Sequence, residues 1–243
     1  MLFFLHPSNK EIIFVHYYRH KCPFRRIIGQ CIPIFNMELF LDKIKNKCRR
    51  LLYTLILCKL GFGNRVSKSI WEKQFGGKDW DYLYAEAEKD HYLAIVNLFK
   101  KYGSGKILDV GCGQGVLYHY LKAAAEPLHY LGIDISGNAV EKAKTSFSEA
   151  NFKQLDFDYQ KLEGKFDVII FNETLYYFNR PLSIIQKCIN ENLNNGGYFI
   201  ISMCDYIGHE IIWQKLKQQY NFLSIEEIIN LNQQKWKVGL FRP

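Results

Sequence analysis

The 243-residue chain lacks several things, and each absence closes a class of function. The uncharged run from Leu51 to Cys58 falls far short of the roughly 18 apolar residues that span a bilayer, so no transmembrane helix is expected. The opening "MLFFL" is broken at once by His6, Pro7 and Lys10 and is too short for a signal-peptide core. Cys22, Cys31, Cys48, Cys58, Cys112, Cys188 and Cys204 form no CxxC pair and no Cys/His group at zinc-finger spacing, so no metal site is expected. Odd in number and without a cleavable leader, they read as reduced thiols of a cytoplasmic protein. There is no internal repeat and no low-complexity tract.

A formal charge of +8 would suit a nucleic-acid binder until it is located. Residues 1–60 hold 11 Lys/Arg against 3 Asp/Glu, whereas residues 61–243 hold 21 of each. The body of the chain is therefore neutral and offers no phosphate-binding field, which argues against general DNA or RNA binding. Aromatics, at 16% of the chain, suit planar ligands and a bulky core equally.

The excess charge lies on an N-terminal arm. Apolar or thiol residues recur at 37, 41, 44, 48, 51, 55 and 58, one stripe of a helix, while Lys43, Lys45, Lys47, Arg49 and Arg50 make its remainder cationic. Residues 37–62 are thus expected to form a basic amphipathic helix that either docks on the following domain or lies on an anionic membrane surface. Both readings stay open. Residues 1–36 show neither period nor capping signal and are expected to be poorly structured, with Met37 as an alternative start.

From Asp79 onward the pattern turns regular. "DYLYAEAEKDHYLAIVNLFKKYG" reads as a helix stopped by Gly103, so residues 63–103 form a helical lid before a domain at 104–243. There "KILDV", "YLGIDI", "NFKQLDF", "KFDVIIFN" and "GGYFIIS" read as buried strands alternating with helices, followed by a helix at "EIIWQKLKQQY" and strands near 222–229 and 236–241. Short apolar strands between helices imply an α/β fold, a mostly parallel sheet wound on both faces.

In such a sheet the ligand sits beyond the carboxyl ends of the strands. Gly111, Gly113 and Gly115 fall there, in GxGxG spacing; a dinucleotide fingerprint would need glycine at 116, which is Val116. The acids say more. Asp109 precedes the loop, Asp134 ends the second strand, Asp156 ends the third and Glu173 follows the fourth. Four carboxyls suit ribose hydroxyls, amines and a positive centre, and suit a polyphosphate badly.

With "ILDVGCGQG", "YLGIDIS", "FKQLDF", "FDVIIFNETLYY" and "NNGGYFIIS" in this order and spacing, residues 106–202 resemble a class I S-adenosylmethionine-dependent methyltransferase. The resemblance implies a doubly wound, seven-stranded, mostly parallel Rossmann-like sheet in the order 3-2-1-4-5-7-6, with its last strand antiparallel. It implies that Gly111, Cys112, Gly113 and Gly115 support the methionine part of S-adenosylmethionine and that Asp109 serves its ammonium through the loop. Asp134, with Ile135 beside it, would take the ribose hydroxyls, Asp156 with Phe157 the adenine edge, and Asn172 the methionine side. "KDWDYLYAEAEKDHY" is loosely similar to the entry segment of nodulation-type N-methyltransferases, which would place Trp80 and Tyr82 on a lid over the cofactor.

Within that family, "NETL" after the fourth strand lacks the Asn/Asp-Pro-Pro-Tyr motif of base and amide N-methylation, and no cysteine there serves a pyrimidine ring. Glu173 has no acidic partner nearby in sequence, unlike the paired glutamates of protein arginine methyltransferases. The acceptor is then expected to be an oxygen or nitrogen of a small molecule or glycan. His209 is the first candidate base, with Glu173 and Tyr176 as further catalytic candidates and Tyr177 and His91 behind them. A module that holds S-adenosylmethionine without turnover is the alternative; an NAD or nucleotide-sugar enzyme is disfavoured by Val116 and Asp109.

Overall fold

In the computed structural model, β1 (Lys106–Val110), β2 (His129–Asp134), β3 (Asn151–Gln154), β4 (Phe166–Asn172), β5 (Leu193–Cys204), β6 (Asn221–Ile229) and β7 (Lys235–Arg242) pair into one seven-stranded sheet. Its order is β3-β2-β1-β4-β5-β7-β6, with β1 to β5 mutually parallel and β7 antiparallel to both β5 and β6. The helices are α1 (Lys68–Gly76), α2 (Glu86–Tyr102), α3 (Val116–Ala124), α4 (Gly137–Ser146), α5 (Pro181–Glu191) and α6 (His209–Gln219). The structure describes residues 51–103, 105–124 and 129–243, and the expectations for residues 1–50, both the unstructured stretch and most of the basic helix, lie outside the described residues. The described end of that helix is a π turn over Tyr53–Leu57 and a 3-10 turn over Cys58–Leu60.

Strand periodicity decides the two layers. Leu108, Val110, Ile169, Phe171, Ile201 and Met203 face one side, where Ile184, Ile185 and Cys188 of α5 and Ile212, Trp213 and Leu216 of α6 cover them. Their neighbours Ile107, Val168, Ile170, Tyr198 and Ile200 face the other, under Ile95, Leu98 and Phe99 of α2, Val116, Leu117 and Leu121 of α3, and Val140 and Ala143 of α4. Apolar runs buried on both faces explain why these strands carry no polar alternation. Residues 56–243 form one compact unit that takes in the lid and the sheet. Among the described residues no helix is long and apolar enough to cross a membrane.

Local chemistry moves some boundaries. The third strand stops at Gln154 rather than running through Phe157. Asp156 instead opens a turn, its N–H donating to Gln160 Oε1 and its carbonyl accepting from the Tyr159 and Gln160 N–H groups. The lid helix begins late: Ala85 is extended and separates a 3-10 turn at Asp81–Tyr84 from α2. Within the expected lid, Lys68–Gly76 forms a separate helix, α1.

Gly132 on β2 sets how closely the loop after β1 can approach. A Cβ there would lie 2.8 Å from Phe152 Cδ1 and 2.9 Å from Cys112 Sγ. Gly132→Ala is therefore expected to lower unfolding stability by about 1–3 kcal/mol in urea titration. An unchanged midpoint would show that the glycine loop does not need this approach.

Candidate active site

The chain leaves β1 at Gly111, crosses the end of β2 and enters α3. Gly111, Gly113 and Gly115 have φ of 80°, 54° and 86°, the left-handed region that glycine adopts without penalty. At Gly111 space is short as well, since a Cβ would stand 2.4 Å from Thr174 Cγ2. The Ile133 carbonyl accepts from the Gly111 N–H at 2.7 Å and the Cys112 N–H at 3.0 Å, which lays the loop across the end of β2. Asp134 completes the hold: one oxygen accepts from the Gly113 N–H at 2.9 Å, the other from the Ser136 N–H at 2.8 Å. Burial pushes the Asp134 carboxyl up to about 6 against the opposing pull of these bonds.

Asp109 is 1% exposed. Its Oδ2 accepts from the Tyr130 hydroxyl at 2.6 Å, while its Oδ1 is buried with no hydrogen-bond partner among the described residues. Burial pushes its carboxyl up to about 7; the Tyr130 hydrogen bond opposes this and the Asp134 charge adds to it. Asn172, at the end of β4, likewise has a buried Oδ1 without a partner among the described residues. Cys112 is buried against Gly132, and burial raises its thiol far above the usual range, so it fills space and is no nucleophile at neutral pH.

The lid closes over this floor through residues that sequence reasoning missed. The Glu72 carboxylate of α1 accepts from Ser136 Oγ, the Gly137 N–H and the Asn138 N–H, the first turn of α4. Burial would raise this carboxyl, but the donors outweigh it and hold Glu72 below its usual range. Arg65 bridges Asp156, at 2.6 Å, and Asp158. Gln114 donates to the Trp80 carbonyl at 3.0 Å, and Trp80 stacks on Phe75 at 5.6 Å, above Gly113. Beside the lid, Ile135, Gln154, Asp156, Lys68, Tyr159 and Gln160 line a cleft of about 370 Å³.

On the other side of the loop, Glu173 sits at φ 56°, a strained conformation for a residue with a side chain. Its carboxylate accepts from Ser202 Oγ at 3.1 Å, the Cys204 N–H at 3.0 Å and the Tyr176 hydroxyl at 3.1 Å. His209 opens α6, stacks on Tyr176 at 3.9 Å and donates from Nδ1 to the Cys204 carbonyl at 2.7 Å. Burial lowers it to about 4, so the ring is neutral at physiological pH. Glu88 of α2 is buried, and burial, with the Glu173 charge adding to it, pushes its carboxyl up to about 7.

The structure thus gathers Asp109, Asp134, Ile135, Asn172 and the glycines at the carboxyl ends of β1, β2 and β4, with Trp80 and Tyr82 on the lid. Glu173, Tyr176 and His209 cluster at the ends of β4 and β5. Phe157 turns into the core beside Leu162 and Ile184. A thiol or amide spacing would not have revealed Glu72 or Arg65; only their acidic or basic type next to a lid aromatic was available.

The sequence model of the methyltransferase domain matches residues 103–238. The chain belongs to the methyltransferase domain family. Among relatives of this chain, a malonyl-[acyl-carrier protein] O-methyltransferase of Acetivibrio thermocellus is 28% identical over 137 residues, covering 54% of this chain and 48% of that one. A ribosomal RNA small subunit methyltransferase C of Photobacterium profundum is 30% identical over 122 residues, 46% and 36% of the two chains. The chain spans about half the length of the curated relatives it matches. The N-methyltransferase NodS of Bradyrhizobium japonicum, solved with S-adenosyl-L-homocysteine, superposes with a TM-score of 0.61 at 16% identity, covering 72% of this chain and 97% of that one. That likeness carries the fold, and the observed strand order is the one the sequence resemblance implies.

A carboxyl raised in the folded state costs stability as pH climbs from its unfolded value to its folded one, because the native protein then holds the extra proton. Asp109→Asn keeps an acceptor for Tyr130 and removes this cost. The variant is expected to be more stable than the parent at pH 8 by about 2 kcal/mol and no more stable at pH 4, in thermal melts. A loss at pH 8 would show that the charge is compensated.

Proposed function

We propose that this methyltransferase moves the methyl group of S-adenosylmethionine to an oxygen or nitrogen of a small-molecule or glycan acceptor held at the carboxyl ends of β4 and β5. The observation that carries the reading is the floor itself, a positive-φ glycine loop clasped by buried Asp134 with two further acceptor atoms, on Asp109 and Asn172, left over. These suit a ligand with hydroxyls, an ammonium and a sulfonium. Ile135 and Asp156 beside the cleft suit an adenine edge.

When bound, the cofactor supplies an electrophilic methyl group on a sulfur that is its own leaving group. The protein's work is then mostly alignment and the exclusion of water. Asp134 would hold the ribose hydroxyls, the loop around Gly113 would take the amino-acid part, and Trp80 and Tyr82 on the lid would shield the site from water. Glu173, fixed by three donors, and Tyr176 face the acceptor. His209 is assigned the positioning of Tyr176 and of the Cys204 main chain, since a ring titrating near 4 is a weak base. Equal numbers of acidic and basic residues over 61–243 favour a small acceptor over RNA. A cytoplasmic location belongs to the same proposal, with residues 37–60 either docked on the domain or in peripheral contact with a membrane.

Calorimetry with S-adenosylmethionine, S-adenosylhomocysteine and NAD tests the site. The first two are expected to bind and NAD is not, and Asp134→Ala should weaken cofactor binding by more than about 1 kcal/mol. An unchanged dissociation constant in a variant shown folded by circular dichroism would reject the ribose assignment. Methyl transfer across an acceptor panel separates an enzyme from a module that only holds the cofactor.

A further inference from the structure

Arg65 stands in the lid segment, ahead of α1, yet its guanidinium grips the turn after β3, more than 90 residues away in sequence. Nη2 donates to Asp156 Oδ2 at 2.6 Å, and Nη1 donates to Asp158 Oδ2. The guanidinium carbon also stands 4.6 Å from the centre of the Tyr159 ring, the next residue along. An isolated surface ion pair contributes little. Here one planar fork joins two carboxylates, and the side chains of Arg65, Asp156 and Asp158 are only 20%, 26% and 6% exposed. Asp158 is anchored a second time, since the same oxygen accepts from the Asn179 side chain at 3.2 Å.

The main chain of the turn closes on itself: the Asp156 N–H donates to Gln160 Oε1 at 2.7 Å, and the Asp156 carbonyl accepts from the Tyr159 and Gln160 N–H groups. Those bonds fix the backbone and leave the two side-chain torsions of Asp156 to be set by something else. Arg65 sets them from the lid. The carboxylate so held borders the cleft of about 370 Å³, whose wall it shares with Ile135, Gln154 and Tyr159.

We propose that Arg65 is a positioning residue for base recognition: by holding Asp156 Oδ2 it presents Oδ1 to the exocyclic amine of the cofactor's adenine. The inference rests on the cofactor reading above and adds the residue that makes the cleft choose among bases. An ionised carboxylate only accepts hydrogen bonds, so it suits the amine of adenine. A base with a carbonyl oxygen at that ring position sets acceptor against acceptor and leaves the carboxylate unpaired. One guanidinium against two carboxylates keeps the turn net anionic, which favours the donor over the carbonyl. Without Arg65 the Asp156 side chain turns toward water, and the preference goes with it.

The test uses the full chain, titrated in a calorimeter with S-adenosylhomocysteine and with S-inosylhomocysteine, in which a carbonyl oxygen replaces the adenine amine. The parent is expected to bind the adenosyl compound about tenfold or more tightly, the worth of one hydrogen bond to a charged group. Arg65→Met should weaken the adenosyl compound by about that factor and leave the inosyl compound within about twofold, so that the preference disappears. Arg65→Lys keeps a charge but not the fork and should lose part of the preference; the same ratio is read from it if circular dichroism shows the Met variant unfolded. A residue that only supports the fold would weaken both ligands by one factor. That result, an unchanged preference in either folded variant, tighter adenosyl binding once Arg65 is gone, or a parent that binds the two compounds alike would each overturn the inference. Failure of the parent to bind S-adenosylhomocysteine at all would instead strike at the methyltransferase reading itself.

Discussion

The Asp134 carboxylate accepts from the main chain of the glycine loop on one oxygen and from the start of α4 on the other, and the site is assembled around that double hold. Together with the Ile133 carbonyl it fixes where the chain crosses from β1 to α3. The geometry costs something, since it keeps an anion among apolar side chains, with Asp109 buried nearby and raised by the same charge. A globular protein rarely keeps such acids without a use for them. In the proposed function a polyol with a positive centre offsets the cost.

The lid follows from the same constraint. Glu72 reaches the N–H groups at the start of α4, adjoining the turn that Asp134 holds, so that α1 docks where the α4 dipole is most positive. Arg65 neutralises Asp156 and Asp158 on the turn after β3. Gln114 couples the glycine loop to Trp80. The segment before the sheet is thus tied to three of the loops that surround the floor. The glycine loop and the lid are in this way parts of one hydrogen-bonded system.

Most of the sheet was legible because its strands are buried on both faces and leave short apolar runs between helical periods. β6 and β7, found near 222–229 and 236–241, fall where the alternating pattern placed them. The end of β3 was not legible: "LDF" reads as a strand, but Asp156 takes its partners from Gln160 and turns the chain out of the sheet. In the site, Asp109, Asp134 and Glu173 stood out through their place after apolar strands. Glu88 did not, because its burial depends on α2 packing against the sheet, and on a helix one glutamate among several carries no mark of which faces inward. Glu72 and Arg65 were hidden for the same reason: their partners are main-chain groups and acids more than sixty residues away. For His209 the residue type alone gave no sign of its burial, its stack on Tyr176 or its bond to the Cys204 carbonyl.

A crystal structure of the protein grown with S-adenosylhomocysteine addresses the central claim most directly. The ribose hydroxyls should lie against Asp134 and the amino-acid part along Gly111 to Gly115 beneath Trp80, with its ammonium toward the Asp109 end of the loop. The nucleoside bound elsewhere, or lying there without touching Asp134, would contradict the assignment of this acidic, glycine-floored cleft as the cofactor site.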